Sequence, residues 1–371
     1  MSTLHVLDNN SDETQCQILG TLVERLERDG GRHAVCSIDR RAKVIAGRFL
    51  DRSVTLVRQR FFQSLNFAPG LADAAEAASA KIIHAWGIRA AAVCSARLPG
   101  RPLLITLLDP EATSSTGRLL RSLPGPATIA VGSQVIRSRL LMAGVAAERV
   151  VVIRGPADFA AINAARRQEI RQRVVGEAKP VVLMSGPASR AGGQFYGLWA
   201  AAVVSKVIPG IRVIMPYDSP EARRLRRFVR QIQMPEMLVV PDASMTWSQL
   251  AACADLFMCP AVDETCTEPL AAAMAAGIPI VGTAVRSVAE IVADKHNGLL
   301  CKAKDPRALA ARLLTAIEDQ ELGRKVTEVA RGQAYEVFGI RDFADNYSRV
   351  YENLLAGRAA GEGIRDTAMV A

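Results

Sequence analysis

The stretch DETCTEPLAAAMAAGIPIVGTAVRSVAEIVADKHNGLL, residues 263–300, decides how this chain is read. It opens as an acidic loop, passes a proline at a helix start (Pro269), continues as a small-residue helix over 270–276, stops at Gly277 and resumes as an apolar strand over 278–281. The run Leu256, Phe257, Met258, Cys259 just before it supplies an incoming strand. The acidic loop therefore leaves the carboxyl end of a strand and feeds a helix N-terminus. In an open parallel sheet ligands bind at that place, because backbone N–H groups and the helix dipole favour an anion there. The helix is nearly all alanine, with Leu270 and Met274, and side chains that small let it lie close against a sheet or a nucleotide.

Outward from this unit the same alternation repeats in both directions. Towards the N-terminus, strands are predicted over 5–7, 34–38, 54–57, 81–84, 103–107, 128–131 and 150–153. A helix over 14–28 carries Ile18, Leu19, Leu22, Val23 and Leu26 on one face, and the pattern as a whole is that of a parallel sheet covered on both faces. A charged helix over 164–175 bridges to a second series, with a strand over 181–184, a loop over 185–193 and a helix through 199–207.

Composition sets the outer limits. With 371 residues, 50% hydrophobic and 22% charged, the chain is long enough for two ordinary domains with a core each. No apolar run approaches the ~18–20 residues of a membrane span, and the N-terminus lacks a basic flank followed by an apolar stretch, so a cytoplasmic chain is expected. Seven cysteines without ligand spacing, most of them in apolar runs, read as buried reduced thiols. The formal charge of +9 suits an anionic partner, either a nucleotide-sugar or an acidic membrane surface. Arg223, Arg224, Arg226, Arg227 and Arg230 lie at helical spacing without interleaved aromatics, which fits a solvated face or a membrane-surface contact and gives no nucleic-acid partner. A second basic region, Arg40, Arg41, Lys43, Arg48, Arg52, Arg58 and Arg60, runs into Phe61 and Phe62 and reads either as a solvated strand edge or as a docking edge for an anionic leaflet.

The motif at 263–300 resembles that of the retaining, family 4 (group 1) glycosyltransferases of GT-B fold. That family carries a Glu, seven residues, a second Glu, then Ala-Met-Ala-x-Gly-x-Pro-Val-Val, and later Glu-Ile-Val and Asn-Gly-Leu-Leu. Glu264 falls on the first glutamate, and Met274, Gly277, Pro279, Glu290, Gly298 and Leu300 fall on the later positions, while Ala272 stands where the second glutamate would be. The likeness extends over nearly the whole chain. It implies an α/β GT-B architecture of two Rossmann-like doubly wound parallel-sheet domains facing a cleft. The acceptor side spans 1–162, the nucleotide-sugar side 163–337, and a helix over 338–356 crosses back to the first domain. Residues 357–371, small and polar, read as a disordered tail. The implied chemistry is sugar transfer from a nucleoside-diphosphate sugar to a carbohydrate or lipid-linked acceptor, with retention, without metal, and with no cofactor beyond that co-substrate. The enzyme would sit in the cytoplasm or peripherally at the inner face of the membrane. The alternative is a catalytically degenerate GT-B protein acting as a binding or scaffolding module.

The resemblance assigns Glu264 to the donor sugar hydroxyls and places Thr265, Cys266, Thr267, Glu268 and Glu290 at the donor site. In the loop over 185–193 the family uses an Arg and a Lys on the diphosphate, and here Pro187 and Gly192 occupy those places. Gly186, Arg190 and Gly193 remain as donor-binding candidates. Arg190 is either a phosphate clamp, worth about 1.5–3 kcal/mol, or an exposed loop arginine. Glu268, before Pro269, reads as the helix N-cap, where it would compete with a phosphate for N–H groups. Glu290 reads as lying in the first turn of a helix, a placement that by itself is worth ~0.3–1 kcal/mol to a carboxylate. On the acceptor side, His84 at a strand end is either packed or an acceptor-site group, and Asp109 is either a turn or capping residue or a base. With no Gly-x-Gly-x-x-Gly, P-loop, Asp-x-Asp or metal-ligand cluster, a dehydrogenase, a P-loop kinase and a metal-dependent GT-A enzyme gain no support.

Overall fold

Apolar runs such as IIHAW at 82–86 and LFMC at 256–259 are buried at every position, as strands covered on both faces by helices must be. They belong to two parallel sheets in a computed structural model. It describes residues 1–8, 11–50, 52–57, 60–62, 65–67, 70–108, 114–123, 127–165, 167–186, 188–217, 219 and 221–365, with backbone alone at 60–62, 65–67, 114 and 115. The strands are β1 (Ser2–Leu7), β2 (Arg32–Ser37), β3 (Thr55–Leu56), β4 (Arg60–Phe62), β5 (Leu65–Phe67), β6 (Ile82–Trp86), β7 (Leu103–Leu107), β8 (Ala127–Val131) and β9 (Val150–Val152). They continue with β10 (Val181–Met184), β11 (Arg212–Ile214), β12 (Leu238–Val239), β13 (Leu256–Cys259), β14 (Ile280–Thr283) and β15 (Leu299–Cys301).

Seven strands form one sheet in the order β3-β2-β1-β6-β7-β8-β9, and six form the other in the order β12-β11-β10-β13-β14-β15. Both are doubly wound. The order reverses between β1 and β6 in the first and between β10 and β13 in the second, and such switch points open a crevice at the carboxyl ends of the strands. Register fixes the neighbours: Leu4 lies between Ala34 and Ile83, and Val182 between Val213 and Leu256. A short antiparallel pair, β4 with β5, had no counterpart among the sequence expectations. Arg58 lies outside the described residues, as do the side chains of Arg60, Phe61 and Phe62.

The chain divides into a first unit, Met1–Gly155 joined by the segment from Ile340, and a second unit, Pro156–Gly339. The division falls before 162 because Asp158 caps the helix Phe159–Ala164, accepting from the Ala161 amide at 2.8 Å, and Ile162 is buried in the second unit. The charged stretch at 164–175 is not one bridging helix. A separate helix, Arg167–Val174, is tied to the second unit by Arg171, which donates to both carboxylate oxygens of Asp255 at 3.0 and 2.9 Å. The basic run at 40–48 is the helix Arg40–Phe49, capped by Asp39, and not a strand edge. Arg52 is committed to Glu27 and to the His33 carbonyl. All seven cysteines are free thiols, and burial pushes Cys36 up to about 12.

The helix Ile340–Ala356 returns to the first unit, burying Phe343, Tyr347, Val350, Tyr351 and Leu354 in the same core as Leu7, Trp86 and Leu104. The stretch beyond it is anchored up to residue 365, correcting the expected disorder. Ala360 is buried, its amide donates to the Glu148 carbonyl, and Asn353 and Asn346 bond the Glu362 and Arg365 carbonyls.

Beneath the returning helix runs a buried polar chain. Trp86 Nε1–H donates to His5 Nδ1 at 3.1 Å, which leaves His5 Nε2–H to donate to His33 Nδ1 at 3.0 Å. His84 bonds Thr106 Oγ1 at 2.7 Å and the Tyr351 hydroxyl at 2.8 Å, and Thr106 meets the Tyr347 hydroxyl at 3.0 Å. Burial lowers all three histidines, His33 to about 4, where Glu27 opposes the shift while Arg52 and the N-terminal amine add to it. The unfolded chain therefore takes up protons below its ordinary value of 6.5 that the folded chain refuses, so stability is complete above that pH and is lost as pH falls towards about 4. Thermal melts should be flat above pH 7 and should fall between pH 6.5 and about 5, before carboxylates titrate. A melting temperature constant across that interval would contradict this.

Candidate active site

In the second unit the switch point is flanked by two loops, 185–193 after β10 and 260–267 after β13, each leading into a helix, Gln194–Val204 and Glu268–Ala276. The loops are stitched together. The Ala191 carbonyl accepts from the Val262 amide at 2.8 Å and from the Asp263 amide at 3.2 Å. Gly193, with φ +65°, stands so close to the neighbouring loop that a Cβ there would come within 2.1 Å of the Pro260 carbonyl oxygen. Both the left-handed backbone and the close approach require glycine. Gln194 secures the first loop from below, donating to the Ser185 carbonyl at 2.7 Å and accepting from the Ser189 amide at 3.0 Å. The Gly192 amide donates to Ser189 Oγ at 2.9 Å, and Gly186 forms the bend that starts the turn.

The second loop presents Glu264. Its carboxylate Oε2 accepts from the Ser287 amide at 2.7 Å, and the Thr265 amide donates to Ser287 Oγ at 3.1 Å, so the acid is held against the segment that follows β14. The loop reading of Glu264 stands, with the addition that the carboxylate also fastens the loop. Thr267, not Glu268, occupies the N-cap position of the helix Glu268–Ala276, without a side-chain capping bond, because Glu268 is already the first helical residue. The Glu268 carboxylate accepts from the Cys266 thiol at 2.6 Å. All nine residues of that helix are buried, Ala272 included, so its small side chains serve close packing.

Two further placements differ from expectation. Glu290 is the C-cap of the short helix Arg286–Ala289 and not in its first turn, so the helix dipole gives no reason for an acid there. Arg190 is 89% exposed, with Nε 3.8 Å from Glu221. An ion pair so open to water holds the side chain weakly.

His84 is not at a strand end but in the middle of β6, fully buried, with both ring nitrogens bonded as described above. Of its two readings, this placement fits the packed one. Asp109 lies outside the described residues. At the first unit's switch point a carboxylate occupies the helix N-terminus: buried Asp8 accepts from the Ala90 amide at 3.0 Å, over Gly87 at φ +107°. The second unit's loop after β10, residues 185–193, contains no acid, while its neighbour after β13 carries Asp263 and Glu264.

Sequence reasoning passed over Gln194, Ser287 and Arg286. Ser287 is invisible because its partners lie 22 and 23 residues away. Arg286 is exposed in the adjoining position. Gln194, following the Gly192-Gly193 pair directly, is the one whose position gave a signal. Among the described residues no group of His, Cys, Asp and Glu is arranged to hold a metal, and no helix is long and apolar enough to cross a membrane.

The family described as Glycosyl transferases group 1 is matched by residues 165–333. The chain is 26% identical over 155 residues to N-acetyl-alpha-D-glucosaminyl L-malate synthase of Bacillus anthracis, covering 42% of this chain and 40% of that protein. It is 34% identical over 102 residues to the putative colanic acid biosynthesis glycosyltransferase WcaL of Escherichia coli, a quarter of each. The chain thus matches less than half the length of these relatives. Among solved structures it is similar to Anabaena HepE in complex with UDP and glucose, with a TM-score of 0.78 and 21% identity over 95% of this chain and 100% of that one. The fold is accordingly GT-B.

Gly193→Ala should destabilise the protein by several kcal/mol, roughly 2–4, since it adds both backbone strain and a clash with a carbonyl that cannot retreat. Gly192→Ala, which meets only the amide end of Gln194, should cost less. Denaturant unfolding of the two variants checks this, and equal stabilities would show that the loops are free to separate.

Proposed function

Through residues 165–333 this chain belongs to the group 1 glycosyltransferases, and from that premise we propose that it transfers a sugar from a nucleoside-diphosphate sugar to an acceptor, with retention and without metal. The observation that carries this reading is the pair of stitched loops at the second unit's switch point, with the Glu264 carboxylate fixed by the Ser287 amide. In this reading the donor diphosphate lies against the N-termini of the helices Gln194–Val204 and Glu268–Ala276, where oriented N–H groups face it. Arg190 leaves Glu221 to meet the departing charge, and Glu264 accepts from the sugar hydroxyls. Thr265, Cys266, Thr267 and Glu290 border the donor. The leaving diphosphate departs, and the acceptor hydroxyl attacks on the same face. Stabilising that leaving group is the largest electrostatic demand of the reaction. Uridine donors are the first to try, given the UDP in the Anabaena structure.

One feature favours a second reading, a degenerate member that binds without catalysing. The loop over 185–193 has Pro187 and Gly192 in place of the two clamping cations, and its Arg190 projects into solvent.

Calorimetric titration with UDP, GDP, ADP and their sugars separates the readings, since the transferase should bind one of them measurably. Arg190→Ala should weaken that diphosphate by about 10- to 150-fold and leave the bare nucleoside unaffected. Unchanged affinity would remove the clamp. Glu264→Gln keeps an acceptor for the Ser287 amide, so it should melt with the parent yet lose at least about tenfold in transfer rate, whereas Glu264→Ala should also lose about 1–2 kcal/mol of stability. Parent-like turnover in Glu264→Gln would dismiss its role. Transfer should also persist in EDTA, and activity lost to EDTA and restored by manganese would refute the metal-free route.

A further inference from the structure

The helix Gln194–Val204 and the turn after it place Phe195, Trp199, Val203 and Val207 at four-residue spacing, a single stripe along one face. Trp199 is 47% exposed, and Val203 and Val207 are also exposed. The Phe195 ring joins this stripe to the neighbouring helix Ala222–Gln231: it meets Trp199 at 6.0 Å and Phe228 at 5.0 Å, and the Arg224 guanidinium lies 4.8 Å above it. That second helix buries Ala222, Leu225 and Val229 and exposes Arg223, Arg227 and Arg230. Together with Arg226 these arginines line an open depression. Residues 194–214 and 222–235 contain no Asp or Glu, while Lys206 and Arg212 add to the positive charge.

We propose that this face docks the second unit onto an anionic lipid leaflet, with the arginines on the headgroup phosphates and the Trp199 stripe at the boundary with the acyl chains. An indole beside arginines is the pairing suited to that boundary, since the ring has an apolar body and a polar N–H. Valines at 203 and 207 gain from an acyl boundary and gain little from a nucleic-acid backbone, which favours lipid as the occupant. Acids flank the second segment only at its two ends, Glu221, which lies 3.9 Å from Arg224, and Glu236, so the face between them is positive. The inference is independent of the donor chemistry proposed above.

Trp199 is its own reporter. Trp86 is fully buried and Trp247 is 6% exposed, so a change of polarity at the surface registers at Trp199. Vesicles of mixed phosphatidylglycerol and phosphatidylcholine should shift the full-length protein's emission to the blue and carry the protein into the pellet, and pure phosphatidylcholine should do neither. Salt near 1 M, where the Debye length is about 3 Å, should weaken the binding. Each arginine near such a surface multiplies partitioning about fivefold, so Arg223→Gln, Arg227→Gln and Arg230→Gln combined should lower it about a hundredfold with an unchanged circular dichroism spectrum. Trp199→Ala should lose the shift and sediment less. An unshifted emission, or a triple variant that sediments like the parent, overturns the proposal. So does tighter retention by duplex DNA than by anionic vesicles, which would assign the face to nucleic acid.

Discussion

The approach of the Gly193 backbone to the Pro260 carbonyl is the constraint on which the rest of the candidate site depends. Two parallel strands lying side by side, β10 and β13, send their loops in the same direction, and the loops meet only if one of them has no side chain at the contact. Once they meet, the Ala191 carbonyl can take two amides from the other loop, and the acidic stretch at 263–268 is held in place. From there Glu264 reaches the Ser287 amide, which ties in the third loop, after β14. Three loops on three adjacent strands are thus one rigid object, and its rigidity derives from backbone contacts that admit little variation.

The two units use the same topology to different electrostatic ends. In the first, Asp8 follows β1 and its carboxylate accepts from the Ala90 amide in the helix that follows β6. In the second, the loop after β10 is small and carries Arg190. The switch point whose first loop carries no acid lies in the unit that contains the residues matched by the group 1 family. The first unit uses its buried polar groups instead for cohesion: His84, Thr106, Tyr347 and Tyr351 pin the returning C-terminal helix to its sheet. Such a chain of neutral partners is stable only while the imidazoles stay unprotonated.

The departures from expectation share a cause. His84 read as a strand-end group because its run, 81–84, was cut short; the strand continues to Trp86, and that alone moves the ring from rim to core. Glu290 read as a helix start because the helix Arg286–Ala289 is only four residues long and its far end falls where a longer helix would have its first turn. The residues after 357 look disordered by composition, yet asparagines on the preceding helix collect their carbonyls. In each case a boundary or a distant partner, and not residue type, set the outcome.

Local patterning by itself determined the alternation of apolar strands and helices, the acidic loop ahead of Pro269, the stop at Gly277 and the close-packing alanine helix. All of these follow from contacts within a few residues, or from runs whose burial needs no knowledge of the partner. The tertiary structure decided what lies opposite what: which carbonyl Gly193 must clear, which amide holds Glu264, where Tyr351 finds His84 from 267 residues away. Hydrogen bonds and close approaches across such separations are fixed by strand order and register. A linear pattern leaves those open until the sheet is assembled.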